Sequence, residues 1–325
     1  MKFEQSRRLQ KRSHAVIPGG AHTYAKGDDQ YPVEAPGFLA RGDGCRVWDA
    51  DGNEFIEYGM GLRSVTLGHG YAPVVQAAAR AMALGTNFTR PSPLEVELAE
   101  RMVDLIDAAE MAKFAKNGSD ATTAAVKLAR AFTGRDKLLF CRSHPFFSTD
   151  DWFIGATPMR AGIPHCVSEL SIGFDYNDSD GLEALFARHA GEIACVILEP
   201  ASVEEPREGF LQAVRSLCDR HGSVMILDET ITGFRWHLRG AQASYGVSPD
   251  LSVFGKALGN GLAIAALVGR REVMRLGGLD HDRDRVFLLS TTHGAETHAL
   301  AAALAVIDAY EAHDVISTLH RQGER

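Results

Sequence analysis

No two cysteines in this chain of 325 residues stand in a CxxC spacing, and the five present (Cys45, Cys141, Cys166, Cys195, Cys218) are scattered and odd in number. That usage excludes a disulfide scaffold and a zinc module, and it reads as small buried hydrophobes in a reducing, cytoplasmic setting. No run of 18 apolar residues occurs, so no membrane-spanning helix is expected. The basic opening MKFEQSRRLQKRSHAV has no apolar stretch behind it, so a secretory signal is not expected either. Positive charge is in deficit, with 34 Lys plus Arg against 42 Asp plus Glu and a net charge of -8. A nucleic acid or an anionic membrane would be repelled at long range, and neither is expected as a partner. Internal repeats, low-complexity tracts and an obvious linker are missing. So are HExxH, GxxxxGK[ST] and GxGxxG, and His69, His293 and His298 show no tight ligand spacing, which leaves no metal or dinucleotide signature.

With 45% hydrophobic and 23% charged residues, the composition is that of a globular protein long enough to bury a core without covalent staples. A first helix ends at Ile17-Pro18-Gly19-Gly20. The stretch from Gly44 to Tyr58 reads as a hairpin around Asp49-Ala50-Asp51-Gly52-Asn53. Amphipathic helices are expected over Pro73–Ala83 and Leu94–Ile106. Short apolar runs of strand type then follow at Ala112–Lys116, Lys137–Cys141, Ile193–Leu198, Val224–Leu227, Leu251–Phe254 and Ile264–Val268. Helical stretches such as Asp120–Phe132 and Gly209–Arg220 separate them, and a last helix is expected near Ala299–Tyr310. Strands buried on both faces and separated by helices imply an α/β fold with a mostly parallel sheet.

Ligands of such sheets lie at the carboxyl ends of the strands. After Lys116 comes Asn117-Gly118-Ser119-Asp120, a small-residue turn opening a helix whose free N–H groups suit an anion. Plain capping by Ser119 or Asp120 accounts for it equally. IACVIL ends in Glu199-Pro200, and VMIL runs into Asp228-Glu229, where a buried carboxylate calls for a cation, either a ligand or a structural partner such as Arg235. LSVF ends in Gly255-Lys256-Ala257, 28 residues after Asp228. Lys256 is either an amine nucleophile or a solvated loop residue. Asp150-Asp151 and Arg270-Arg271 read as an exposed turn and a solvated strand end. Taken together, the turn, the acid and the lysine match what pyridoxal 5'-phosphate requires: a helix N-terminus for the phosphate, a carboxylate for the pyridine nitrogen and an amine for the aldehyde.

The stretch ILDETITGFRWHLRGAQASYGVSPDLSVFGKALGNGLAIAALVGRREVM resembles the signature region of class III pyridoxal-phosphate aminotransferases. VWDADGNEFIEY, LGHGYAPVV, PSPLEVELAERM and NGSDATTAAVKLARAFTGRDK extend the resemblance over almost the whole chain, toward the glutamate-1-semialdehyde 2,1-aminomutase branch. It implies a fold-type I architecture, with an N-terminal helix and hairpin over 1–58, a large cofactor-binding domain over 59–299, and a helical segment over 300–325. In the family this last segment leads into a further C-terminal domain, which these residues do not contain. It also implies roles. Lys256 would hold the cofactor as a Schiff base and act as general base and acid, and Asp228 would pair with the pyridine nitrogen. Gly118, Ser119 and Asp120 would cradle the phosphate, Phe146 would stack on the ring, Thr230 would lie beneath it, and Glu199 would sit beside it. Thr292 would reach the phosphate of a neighbouring copy, implying a homodimer.

The chain also departs from the branch pattern. Phe146-Phe147 stand where the family has Tyr-His, Glu204 where the aminomutases have asparagine, and the early arginine for the substrate carboxylate is missing, leaving Lys26 nearby. The expected activity is amino-group transfer or 2,1-amino migration on a small molecule. An amine or keto sugar stands as the alternative substrate to glutamate semialdehyde, and a truncated, non-catalytic cofactor binder is the alternative of a different class.

Overall fold

The computed structural model describes residues 1–325 throughout. A helix over Glu4–Val16 opens the chain and stops before Pro18. Its own N-cap, Phe3, offers no side-chain acceptor, and the cap comes from the hairpin turn instead: the Asp51 carboxylate accepts from the amides of Gln5 (2.7 Å) and Ser6 (2.8 Å). Asp49 shapes that turn by accepting from Asp51 N and Asn53 N, with Gly52 at φ 85°. The hairpin strands are β2 (Arg46–Asp49) and β3 (Glu54–Ile56). An unexpected β1 (Leu39–Asp43) pairs antiparallel with β2 and completes a three-stranded sheet.

The main sheet has seven strands: β4 (Met111–Ala115), β5 (Lys137–Cys141), β6 (Ser171–Phe174), β7 (Ile193–Leu198), β8 (Val224–Glu229), β9 (Leu251–Phe254) and β10 (Ala265–Gly269), in the order β4-β10-β9-β8-β7-β5-β6. Only β10 runs antiparallel to its neighbours, so the expected mostly parallel α/β sheet is found. Side chains alternate across it. Ala265 and Leu267 of β10 enter one core with helices Gly118–Thr133, Ser179–Arg188 and Phe210–His221. Ala266 and Val268 enter the other, with helices Ala72–Leu84, Pro93–Leu105 and Thr297–Ala312. Alanines dominate where Thr297–Ala312 meets Ala72–Leu84, among them Ala78, Ala299, Ala302 and Ala303, which lets the two helices pack closely. This helix runs straight through residue 299 without a break. No helix is long and apolar enough to cross a membrane.

Candidate active site

Register places the three chemical residues. Leu198 of β7 pairs with Leu227 of β8, so the next residues along, Glu199 and Asp228, lie side by side at the strand tips. Asp228 in turn pairs with Val253 of β9, and Lys256 follows three residues later. Twenty-eight residues of sequence thus collapse to one step across a parallel ladder. Glu199, Asp228 and Lys256 line one cavity of about 380 Å³ together with Lys116, Gly118, Ser119, Phe146 and Thr230. A larger open recess of about 600 Å³ lies around Arg142, His144 and Arg160, and it contains neither a lysine nor any carboxylate besides Glu169.

The pleat of β8 separates its two consecutive acids. Glu229 is fully buried and satisfied, accepting from Thr232 Oγ1 (2.6 Å), Ala241 N (2.8 Å), and Gln242 N (2.8 Å) and Nε2 (3.3 Å). Asp228 faces the cavity and accepts one hydrogen bond, from Thr230 N (3.0 Å). Neither acid pairs with Arg235, contrary to the structural reading of the sequence; that guanidinium is used on the backbone carbonyls of Ile231 and Arg63. Burial raises the Asp228 pKa above the usual carboxylate range. Glu199 is pushed up to about 8, first by burial and then by the neighbouring Asp228 charge, and its Oε2 has no hydrogen-bond partner. The Lys256 pKa is lowered, chiefly by burial, with Asp228 pulling the other way.

The phosphate turn differs in detail from expectation. The cap of the Gly118–Thr133 helix is Asn117, whose side chain accepts from Asp120 N (2.9 Å), rather than Ser119 or Asp120. Asp120 takes its own bond from Asn117 Nδ2 (3.0 Å) and does not line the cavity. Gly118 and Ser119 do, so the helix opens into the cavity with amides that no side chain occupies. Glycine is required here by close approach: a Cβ at Gly118 or Gly255 would stand 3.1 or 3.2 Å from the Thr230 side chain, which wedges between them. Thr122 Oγ1 donates to Phe147 O (2.7 Å) and Ser119 Oγ accepts from Thr149 N (3.2 Å), fastening the loop that carries Phe146 over the helix start. Phe146 is half exposed at the cavity, whereas Phe147 is buried against Phe153.

Three expected residues lie elsewhere. Lys26 is exposed in a short turn, Glu204 is exposed and accepts from Asn177 Nδ2, and Thr292 is exposed with its carbonyl accepting from Asn87. Arg270, expected to be solvated, is clamped on the buried Asp250 at 2.7 Å. Sequence reasoning missed His144, whose buried ring accepts Glu199 N–H at Nδ1 (3.0 Å) and leaves Nε2 unpartnered. It also missed Asn260, in the glycine-flanked loop after Lys256. Its Oδ1 accepts from Thr66 N (2.9 Å) and Leu67 N (2.8 Å), and its Nδ2 donates to Gly68 O (3.1 Å). The GNG triplet was the available signal: a polar residue able to adopt the left-handed φ of 43° between two glycines.

The residues present suit pyridoxal phosphate. A buried carboxylate lacking a cation, an orphaned Glu199 oxygen, an orphaned Thr230 hydroxyl and an open helix N-terminus surround a cavity of ligand size. Comparison with known proteins agrees with the site. A glutamate-1-semialdehyde 2,1-aminomutase of Desulforamulus reducens is 36% identical over 84% of this chain and 66% of its own length. The FumI protein of a Sphingopyxis species, solved in its PLP internal aldimine form, superposes with a TM-score of 0.86 at 31% identity, over 94% of this chain and 72% of that one. An omega-transaminase of Sphaerobacter thermophilus gives 0.86 at 28% identity, over 93% and 72%. The chain spans about two thirds of the length of the curated relatives it matches. Residues 25–325 match the aminotransferase class-III family, and the chain belongs to that family with the fold-type I architecture expected of it.

Proposed function

We propose that this chain binds pyridoxal 5'-phosphate in the 380 Å³ cavity and transfers amino groups between small molecules, with Lys256 as the covalent anchor. The observation that carries the reading is the convergence of Lys256, Asp228 and the open helix N-terminus at Gly118 and Ser119 in one recess. When bound, the cofactor supplies an aldehyde that condenses with amines and a protonated ring that withdraws electrons. Asp228 would hold that ring proton, because an unpaired buried carboxylate gains most from an adjacent cation. Lys256, with its lowered pKa, would move a proton at the substrate carbon as base and then as acid. Gly118 and Ser119 would bind the phosphate, Phe146 would cover the ring from one side and Thr230 would support it from the other. Glu199, with a pKa near 8, would present a protonated carboxyl beside it.

Thr292 lies outside the cavity of its own chain and is exposed, as a residue serving a second copy must be, so we take the working unit to be a homodimer. Glutamate semialdehyde isomerisation and transamination of another amine or keto sugar would use the same lysine and acid. A non-catalytic binder would have no need of both.

The test is reduction of the cofactor-loaded chain with borohydride followed by peptide mass mapping. A pyridoxyl-phosphate adduct on Lys256, lost in Lys256→Ala, is expected. An adduct on another residue, or none with excess cofactor, overturns the assignment.

A further inference from the structure

We propose that Arg63 recognises a carboxylate on the amino substrate, which makes the substrate class an anionic amine. This rests on the function proposed above and names the group that selects among its substrates.

Arg63 belongs to a loop fixed directly to the lysine loop. Asn260, four residues beyond Lys256, binds the amides of Thr66 and Leu67, and Arg235 binds the carbonyl of Arg63 from the other side. The next residue, Ser64, lines the cavity. The two nearby arginines therefore differ in what they have left to offer. Arg235 is buried and committed to backbone carbonyls, while the Arg63 side chain is exposed and enters no hydrogen bond or ion pair. Its charge is nonetheless felt in the cavity. After burial and Asp228, it is the next influence on Lys256, and it also acts on Glu199. The guanidinium thus stands at the mouth of the recess, facing the amine that would meet substrate.

Two further observations point the same way. Met60, Gly61, Leu62 and Arg63 all have positive φ (38°, 59°, 57° and 67°), a left-handed turn built largely from residues that disfavour it. Strain of this kind persists where surrounding contacts hold it, and it clusters at ligand sites. The second is charge balance. The cavity holds two carboxyl groups, Glu199 and Asp228, so an incoming carboxylate needs a fixed cation, and Lys26 does not reach the cavity. An arginine fork binds a carboxylate by two parallel hydrogen bonds, where an ammonium offers only a point charge.

The experiment uses two amine-type probes that attack the lysine-bound cofactor without turnover: aminooxyacetate, which carries a carboxylate, and methoxyamine, which is its neutral counterpart. Rates are read from the change in cofactor absorbance. Arg63→Gly relieves the left-handed strain while removing the charge, and it should slow aminooxyacetate by about 10- to 100-fold. Methoxyamine should change by no more than about twofold, and Arg63→Lys should restore only part of the aminooxyacetate rate. Equal slowing of both probes, or no slowing of either, overturns the role of Arg63. If neither probe reacts with the unsubstituted chain and borohydride fixes no adduct, the cofactor assignment falls, and this inference with it.

Discussion

Asn260 is the joint between the lysine loop and the Arg63 loop, and cutting it should release one from the other without touching chemistry directly. Its side chain is buried and makes three hydrogen bonds to the backbone of residues 66–68. Each buried bond lost costs about 1 kcal/mol, so Asn260→Gly should weaken the local structure by about 3 kcal/mol. Glycine is the informative replacement because Asn260 sits at φ 43°; alanine would add about 1 kcal/mol of left-handed strain unrelated to the bonds. Three kcal/mol corresponds to about a hundredfold change in an opening equilibrium. Hydrogen exchange of the Thr66 and Leu67 amides, whose acceptor is removed, should therefore quicken by about 100-fold, while amides within β7 and β8 stay protected. Asn260→Asp should fall between, since it keeps an acceptor for the two amides but turns a carboxylate toward Gly68 O. Unchanged exchange at both amides in Asn260→Gly would refute the joint and would leave Arg63 without a fixed distance to Lys256.

Asp228→Asn removes a buried charge that has no cationic partner, so the cofactor-free chain should be at least as resistant to thermal unfolding as before, while turnover falls by at least about 100-fold. Near-normal turnover would contradict its role at the ring nitrogen. His144 should set an acid limit on stability, because burial holds its pKa at about 4, against 6.5 in an unfolded chain. Between those values the unfolded state takes up a proton that the folded state refuses, so stability falls as pH drops from about 6.5 to 4, by about 3 kcal/mol from this group. His144→Asn, which retains an acceptor for Glu199 N–H, should flatten that limb of the urea-unfolding profile. A profile parallel to that of the unsubstituted chain would refute the assignment.

Much of the fold was legible because strands buried on both faces are continuous apolar runs with sharp ends. Lys137–Cys141, Ile193–Leu198 and Leu251–Phe254 have the same limits in sequence and structure. Reading the residue after each run then exposed Glu199, Asp228 and Lys256. What escaped had no such contrast. β1 is LARGD and β6 is SIGF, short edge strands with too few apolar residues to stand out from a loop. Asn117 was passed over for its neighbours because several residues of a capping turn are chemically able to cap, and only backbone geometry selects one. Arg63 was invisible for a stronger reason. A left-handed turn made of Met, Leu and Arg contradicts local propensity, so no sequence pattern announces it.

The same contrast runs through the two acids at the end of β8. Glu229 and Asp228 are both buried, yet Glu229 has four donors around it while Asp228 has one and no ion-pair partner. A protein built for stability alone would gain by replacing the second with an amide or an apolar residue, since an uncompensated buried carboxylate is among the costliest groups to keep. Its neighbour Glu199 is in a similar state, with a free oxygen and a raised pKa. Two consecutive strand tips therefore carry a deficit that the polypeptide does not fill from its own side chains, although Arg235 is close enough to the loop to have been used. That deficit makes sense if the compensating cation arrives with a ligand. It follows that the cofactor should raise the unfolding temperature of the unsubstituted chain by more than it raises that of Asp228→Asn, because only the former has the electrostatic debt for the ring to relieve.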